Sequence, residues 1–239
     1  MLETTSVATL IDEATKSIPG WSPPDQMLAL FSLVFSSAEL NGDILELGSW
    51  CGRSAVALGL AAKLSGKGKV HCVDLFPEKD DWYRNADGTY SFAVTIDGER
   101  QGAYQDQTVW AEPYLRDIVP VYERFASTRD AFNTAMRTNQ LDEWVSAYKG
   151  DLGRFADSVS DSELALRLAF IDGDHSYEAV AQDIKVVERF LLPGGWLCFD
   201  DAFTSYDGVD QAIRDLVIDS GRYHCCQQLT RKMFVARLR

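Results

Sequence analysis

The chain has 239 residues, 46% of them hydrophobic and 25% charged, which provides enough apolar material for one sizeable core. Its 36 acidic and 23 basic side chains leave a formal net charge of −13, which argues against nucleic acid and anionic membranes as partners. The longest apolar stretch, Met27–Phe35, is too short to span a bilayer, and the first residues lack a signal-peptide pattern. The five cysteines form no C-x-x-C pair, so we expect reduced thiols in a cytoplasmic protein. The length of the chain predicts a single domain, residues 1–239.

The predicted elements alternate between short apolar strands and helices. An N-terminal helical segment, residues 1–42, contains a helix at Asp25–Leu40. Strands are predicted at Asp43–Leu47, Val70–Leu75, Ala169–Ile171 and Trp196–Phe199, with one more ending near Lys149, and helices at Ser54–Leu64, Tyr177–Phe190 and Val209–Ile218. Tyr223–Leu229 and Met233–Leu238 predict an antiparallel C-terminal hairpin. This order predicts a Rossmann-like, doubly wound α/β fold with a mostly parallel seven-stranded sheet and helices on both faces.

One long segment, about residues 76–131, interrupts this alternation. Within it, Tyr90–Ile96 predicts a hairpin strand that turns at Asp97-Gly98, and Ala111–Phe125 predicts a helix bent at Pro120. A structureless loop of this length is improbable, so the segment should fold and have a function. Two roles for this segment stay open. It is either a lid or substrate-recognition element, or a structural or dimer-forming flap. Its aromatic residues are Trp82, Tyr83, Tyr90, Phe92, Tyr104, Trp110 and Tyr114.

The first strand leads into a glycine turn and a helix, over Ile44–Ser54. Gly48 and Gly52 allow a tight turn and a close backbone approach to a ligand, and the helix N-terminus offers free N–H groups. Ligands of open α/β sheets bind beyond the carboxyl ends of the strands, where Asp74 is placed to bind a ribose diol. The Gly-x-x-x-Gly spacing lacks the third glycine of a dinucleotide site, which disfavours an NAD-dependent oxidoreductase without removing it.

Acidic residues follow two further strands. Asp172, Asp174 and His175 come after the fourth strand, and Asp200-Asp201 come after the fifth. Because the carboxyl ends of parallel strands meet at one edge of the sheet, we expect Asp172, Asp200 and Asp201 to converge. Neighbouring carboxylates need a cation to stay ionised, and an all-oxygen set favours Mg²⁺. His175, with an intrinsic pKa near neutrality, is the candidate base, although all these side chains are also suited to capping turns and helices.

A recognisable motif occupies the glycine turn. The sequence Leu45-Glu46-Leu47-Gly48-x-x-Cys51-Gly52-x-Ser54-Ala55-Val56 resembles the S-adenosylmethionine (SAM)-binding motif of catechol O-methyltransferase and its relatives. With Gly20-Trp21-Ser22 upstream, the pattern is similar to the macrocin/TylF-like (Methyltransferase 24) O-methyltransferases, a family of class I SAM-dependent methyltransferases that act on natural-product sugars. The resemblance covers most of the chain except residues 76–131.

The resemblance implies a set of cofactor contacts. Glu46 and Ser54 would contact SAM, and Gly48 would line its methionine part. Asp74 would hold the ribose, and Asp151 would lie near the adenine. Further cofactor contacts expected at this stage are Ser49, Trp50, Gly52 and Asp174.

The resemblance also implies a metal-assisted reaction, with two departures. Relatives of the catechol and caffeoyl-CoA type ligate the metal with Asp and then Asp-Asn, whereas the last position here is Asp201. Their general base is a lysine, and His175 stands in its place. We therefore expect methyl transfer from SAM to a hydroxyl of a sugar or phenolic natural product, with His175 and Asp172 as catalytic residues. Mg²⁺ would be held by Asp172, Asp200 and Asp201.

Other functions stay open at this stage. A metal-independent O- or N-methyltransferase of the same fold is the first alternative, and a non-catalytic scaffold with this fold is another. The family further implies a homodimer.

Overall fold

The described strands lie in two sheets. The computed structural model describes residues 6–103, 108–160 and 163–239. In chain order the strands are β1 (Asp43–Leu47), β2 (Val70–Asp74), β3 (Trp82–Arg84), β4 (Tyr90–Ile96), β5 (Glu99–Ala103), β6 (Val145–Lys149), β7 (Leu166–Ile171), β8 (Leu191–Phe199), β9 (Tyr223–Gln228) and β10 (Phe234–Leu238). The central sheet has the order β6-β2-β1-β7-β8-β10-β9, in which β10 pairs antiparallel with β8 and β9 and the other pairs are parallel. The predicted seven-stranded sheet with its antiparallel closing hairpin is confirmed.

Helices cover both faces of the central sheet. They are α1 (Val7–Thr15), α2 (Pro24–Ser36), α3 (Arg53–Ser65), α4 (Ala111–Pro113), α5 (Val119–Arg124), α6 (Thr128–Thr138), α7 (Leu152–Ser158), α8 (Tyr177–Glu188) and α9 (Asp207–Ile213), with π-helical turns at Tyr114–Ile118 and Arg214–Ile218 and a 3-10 turn at Lys79–Asp81. One core cluster lies between the sheet and α1, α2, α3 and α6, and a second lies between the sheet and α7, α8 and α9. Within the described part of the chain, no helix has the length and apolar character needed to cross a membrane.

The alternation of side chains along β1 explains the two cores. Successive strand residues point to opposite faces of a sheet, and Ile44 packs in the first cluster while Leu45 packs in the second. Both are completely or almost completely buried, as expected for a parallel strand covered on both sides. α3 then crosses over the first face and ends at Gly66, whose φ of 67° is the left-handed conformation that commonly ends a helix.

The predicted insertion forms the second sheet, in which β3, β4 and β5 are antiparallel. The expected hairpin at Asp97-Gly98 is confirmed, with both turn residues at positive φ, as a two-residue hairpin turn requires. The helix expected over Ala111–Phe125 is confirmed as an unbroken helical run over residues 111–124, in which a π-helical turn joins α4 to α5 just before Pro120, which has no N–H to donate. Residues 104–107, which include Tyr104, lie outside the described residues.

A helix begins near the end of the predicted insertion. Helix α6 begins at Thr128, and the side chain of Ser127 caps it by accepting a hydrogen bond from the Asp130 N–H. This helix lies in the crossover between β2 and β6, and the bounds of the insertion, about residues 76–131, stay a prediction.

Candidate active site

A cavity of about 640 Å³ opens at the carboxyl ends of the parallel strands. The chain leaves β1 through α3 on one face of the sheet, and it leaves the neighbouring strand β7 through α8 on the other face. Open α/β sheets bind their ligands at such a reversal of strand order. The volume lies within the range of about 300–1,000 Å³ that is typical of small-molecule sites. The cavity therefore has the position and the size of a ligand site.

Most of the predicted site residues line this cavity. They are Gly48, Ser49, Trp50, Ser54, Asp74, Asp151, Asp172, Asp174, His175, Asp200 and Asp201. The residues predicted from the sequence in five separate parts of the chain are thus brought to one place. Glu46 is fully buried next to the turn, and Gly52 lies at the N-cap of α3, where a Cβ would meet Phe132 and Met136 at 2.9 Å. Gly52 is thus required for packing against α6, and its cofactor contact stays a prediction.

The glycine turn has the shape expected of a ligand cradle. At Gly48, with a φ of 87°, a Cβ would lie 1.8 Å from the carbonyl oxygen of Asp172, so no side chain fits there. Asp74 stabilises the turn, because its carboxylate accepts hydrogen bonds from the backbone N–H of Trp50 at 2.8 Å and from that of Phe76. Burial raises the pKa of Asp74 above its usual value. The same carboxylate lines the cavity and has further lone pairs for hydroxyl donors.

Several buried polar atoms of the turn lack partners. Among the described residues, Glu46 Oε1, Ser49 Oγ and Trp50 Nε1 make no hydrogen bond of good geometry, although the Ser49 hydroxyl lies close enough to the Glu46 carboxyl to oppose the rise in its pKa. Burial raises the pKa of Glu46, whose other oxygen accepts a hydrogen bond from Cys72 Sγ at 3.3 Å. Buried polar groups are nearly always satisfied in folded proteins, so this set fits a polar ligand that supplies the missing partners. SAM, with an amine, a carboxylate and a sulfonium charge, is such a ligand.

A second acidic group lines the cavity near α7 and α8. Asp151 caps α7 by accepting from the Arg154 N–H, and Asp174 accepts from the Ser176 N–H at 2.8 Å. Asp183 of α8 was missed by the sequence analysis. Burial, and then the charges of Asp174 and Asp151, raise the pKa of Asp183 to about 8. Nothing in the local sequence distinguishes Asp183 from an ordinary polar residue of a surface helix, because its position follows from the packing of α8.

The three aspartates predicted as metal ligands converge around a lysine. Lys232 Nζ lies 2.7 Å from Asp200 Oδ2 and 3.2 Å from Asp201 Oδ1. Burial alone would lower the pKa of Lys232, but Asp200, Asp172 and Asp201 together raise it above its usual value. Burial and the charge of Asp200 raise the pKa of Asp172 well above its usual range. Gln26 Nε2 completes the cluster by donating to Asp200 Oδ1 at 2.8 Å.

His175 lies at the edge of this cluster. Its Nε2 is 3.3 Å from Asp201 Oδ2, and its ring stacks on Tyr206 with centroids 4.3 Å apart and planes 10° apart. Burial by itself raises the pKa of Asp201, but the hydrogen bond from His175 and the charge of Lys232 outweigh it, and the pKa lies below its usual value. The carboxylate of Asp201 therefore lies directly against the imidazole of His175.

The arrangement does not fit the expected magnesium ion. Mg²⁺ requires ligand oxygens at about 2.0–2.1 Å in octahedral geometry, and an ammonium group already lies between two of the predicted ligands. In the described ranges, 6–103, 108–160 and 163–239, no group of three or more His, Cys, Asp or Glu side chains is arranged to hold a metal. Magnesium stays a prediction from the sequence.

The sequence analysis missed Lys232 and Gln26. Lys232 lies 32 residues from Asp200, and Gln26 lies 174 residues from it. Neither belongs to a local motif that contains the aspartates. The short basic run Arg231-Lys232 before the last strand was the available signal.

The fold is similar to those of solved O-methyltransferases. The O-methyltransferase NovP shares 14% identity over 90% of this chain and 80% of its own, with a TM-score of 0.60. The O-methyltransferase from Bacillus cereus in complex with SAH shares 14% identity over 100% of this chain and 94% of its own, with a TM-score of 0.58. CalS11, a TDP-rhamnose 3'-O-methyltransferase, shares 14% identity over 89% of this chain and 79% of its own, with a TM-score of 0.54. At this identity the likeness shows the fold.

A family model agrees with the fold. The model described as a methyltransferase domain (Methyltransferase 24) matches residues 45–202, which is more than half of the 239 residues. The match begins in β1, before the glycine turn, and extends past Asp200 and Asp201. The chain therefore belongs to this methyltransferase family.

Proposed function

We propose that this protein transfers a methyl group from SAM to a hydroxyl group of a small molecule. The observation that carries the proposal is one cavity that joins two sets of side chains, the glycine turn with Asp74 and the pair His175 and Asp201. The first set suits a cationic nucleoside with an amino-acid tail. The second suits a hydroxyl that must lose its proton. Membership of a methyltransferase family supports methyl transfer as the reaction.

The cofactor half of the cavity suits each part of SAM. Ser49 and Ser54 line it and would bind the amino-acid part, with the buried carboxyl of Glu46 next to both hydroxyls. The N–H groups at the start of α3 suit the carboxylate of that part. Asp74 would accept hydrogen bonds from the ribose hydroxyls, and Asp151 would lie at the adenine.

The second set of side chains would prepare the acceptor. SAM, when bound, supplies an electrophilic methyl group on a positively charged sulfur. The protein aligns the acceptor oxygen with that carbon, which contributes up to ~7–11 kcal/mol when the reacting atoms are held in line. A ring nitrogen of His175 takes the hydroxyl proton as the oxygen attacks, and Asp201 stabilises the imidazolium. The sulfur–carbon bond breaks as the oxygen–carbon bond forms, so the products are the methyl ether, S-adenosylhomocysteine and a proton that His175 releases to solvent.

The insertion supplies an apolar wall for the acceptor. Phe92, Trp110 and Pro113 from the insertion line the cavity together with Trp21 from the segment before α2. Aromatic faces suit a sugar or phenolic ring. CalS11 is a TDP-rhamnose 3'-O-methyltransferase, and we extend the class of ring hydroxyls to this chain as part of the proposal. The insertion then acts as a substrate-recognition element. The homodimer and the cytoplasmic location expected from the sequence stay predictions.

Titration calorimetry with SAM and with NADH tests the cofactor assignment. We expect SAM to bind and NADH not to bind, and Asp74→Ala should weaken SAM binding about 10- to 100-fold, because a hydrogen bond to a charged group contributes about 1.5–3 kcal/mol. Asp80→Ala, at an exposed position, is the matched control. Binding of NADH without SAM would contradict the proposal.

Turnover on a panel of phenols and nucleotide sugars tests the acceptor class. Mass spectrometry should detect the added methyl group, and NMR should place it on oxygen. A methyl group found on nitrogen would favour the N-methyltransferase alternative.

A further inference from the structure

Lys232 is held firmly at the predicted metal position. It lies two residues before β10, and its backbone carbonyl accepts a hydrogen bond from the Ala202 N–H at 2.8 Å. The residue is only 9% exposed, and its neighbour Met233 is completely buried. Backbone pairing therefore fixes where the side chain starts, and the surrounding protein limits where it can go.

The ammonium group is bound by carboxylates that are themselves held in place. Lys232 Nζ donates to Asp200 Oδ2 at 2.7 Å and lies 3.2 Å from Asp201 Oδ1. Gln26 fixes the opposite oxygen of Asp200 through a 2.8 Å hydrogen bond. A lysine ammonium has three donors, and among the described residues these two carboxylates account for two of them. Because Lys232 lines the cavity, its third donor is in reach of a bound acceptor.

The position of the ammonium excludes a divalent cation from the same carboxylates. Two cations within a few ångströms in a buried site repel strongly, since the low local dielectric weakens their screening. Lys232 already places an ammonium group between Asp200 and Asp201. A divalent ion would have to displace a side chain held by both its backbone and its ion pairs.

We propose that Lys232 is a catalytic residue that replaces the divalent metal, its ammonium donating a hydrogen bond to the acceptor oxygen during methyl transfer. The inference rests on the proposed function and deepens it. Lys232 keeps its proton throughout, while His175 takes the proton of the hydroxyl. The ammonium stabilises the negative charge that develops on the oxygen, as a metal ion would. Transfer then needs no added metal.

The first test measures metal binding directly and needs no acceptor. Electron paramagnetic resonance of Mn²⁺ should show no binding to the wild-type protein at micromolar concentrations. Lys232→Met should bind Mn²⁺, because the carboxylates then lack a cation. Lys185→Met, at an exposed position on α8, is the control and should behave like the wild type. Mn²⁺ binding by the wild type, or by neither the wild type nor Lys232→Met, overturns the inference.

The second test uses turnover. Wild-type activity should be unchanged by EDTA and by added Mg²⁺, and Lys232→Met should lose about 10²- to 10³-fold, as for the removal of one donor to a developing oxyanion. Lys232→Arg keeps the charge and should retain part of the activity without responding to Mg²⁺. It also serves as the second variant if Lys232→Met does not fold, which circular dichroism would detect. Loss of wild-type activity in EDTA with recovery in Mg²⁺, or full activity of Lys232→Met, overturns the inference.

The two proposals fail in different ways. If SAM does not bind, the proposed function fails, and the Mn²⁺ comparison still decides whether Lys232 occupies a latent metal site. If SAM binds and turnover requires Mg²⁺, the proposed function survives and the role of Lys232 is refuted.

Discussion

Replacing Gly48 by alanine tests whether the glycine turn is as tight as the structure indicates. A Cβ at Gly48 would lie 1.8 Å from the carbonyl oxygen of Asp172, which is far inside any allowed contact. Gly66 is a matched control, because it also has a positive φ, of 67°, yet no atom lies within 4 Å of its Cβ position. The pair therefore separates the cost of the backbone conformation from the cost of the clash.

The expected magnitudes follow from these contacts. Alanine in the left-handed region costs about 1–2 kcal/mol at either position. The clash adds about 1–3 kcal/mol at Gly48 alone, as forced overpacking does. We expect Gly48→Ala to lower the free energy of unfolding by about 2–5 kcal/mol and Gly66→Ala by about 1–2 kcal/mol.

Urea denaturation and SAM titration would measure both effects. Relief of the clash must move the carbonyl of Asp172 at the end of β7, so Gly48→Ala should also weaken SAM binding. Gly66 lies at the opposite end of α3 from the turn, and Gly66→Ala should bind SAM like the wild type. Equal unfolding free energies, or equal SAM affinities, for the two variants would refute the reasoning.

Further predictions concern the base, the buried acid and the acceptor wall. His175→Ala should lower kcat about 10²- to 10⁴-fold at nearly unchanged SAM affinity, and an equal loss of SAM affinity would make His175 a cofactor contact. The pKa of Asp183 is raised to about 8, so the folded protein keeps a proton there that the unfolded chain loses above about pH 4, and stability should fall as pH rises between these values. Urea denaturation at a series of pH values should show that Asp183→Asn removes most of this fall in the free energy of unfolding. The same pH dependence in the variant and the wild type would contradict the raised pKa of Asp183. Trp110 is 71% exposed and lines the cavity. Trp110→Ala should leave the affinity for SAM unchanged and raise the KM for the acceptor about 2- to 10-fold. An unchanged KM would count against the apolar wall.

The strand tips were predictable because they follow from local pattern and one rule of topology. Apolar runs followed by acidic residues identified β7 and β8, and parallel pairing then required Asp172 and Asp200 to meet. The glycine turn was equally local, since Gly48 and Asp74 end consecutive strands that pair side by side. For such elements the sequence alone predicts the fold and which residues the fold brings to one cavity.

The insertion was less predictable because its order depends on tertiary contacts. Trp82 packs against Phe92 of β4 and, edge to face, against Trp50 of the glycine turn, so the small sheet is joined to that turn. Tyr122 adds a hydrogen bond from its hydroxyl to the carbonyl of Pro77. The aromatic content indicated a folded segment, but no local sequence pattern predicts which of these rings pack together.

The antiparallel register of the closing hairpin is what brings Lys232 to the carboxylates. Phe234 of β10 pairs with Phe199 of β8, and the two strands are antiparallel. Two residues before Phe234 therefore correspond to two residues after Phe199, which places Lys232 opposite Asp201. The hydrogen bond from the Ala202 N–H to the Lys232 carbonyl extends this pairing past the end of the strand with a shift of one residue, next to Asp201, whose φ is 51°. A slip of one residue would turn the side chain to the other face of the sheet and leave Asp200 without its ion pair. Local sequence rules place acidic groups at the strand tips, but the pairing of two distant strands decides whether a positive charge joins them.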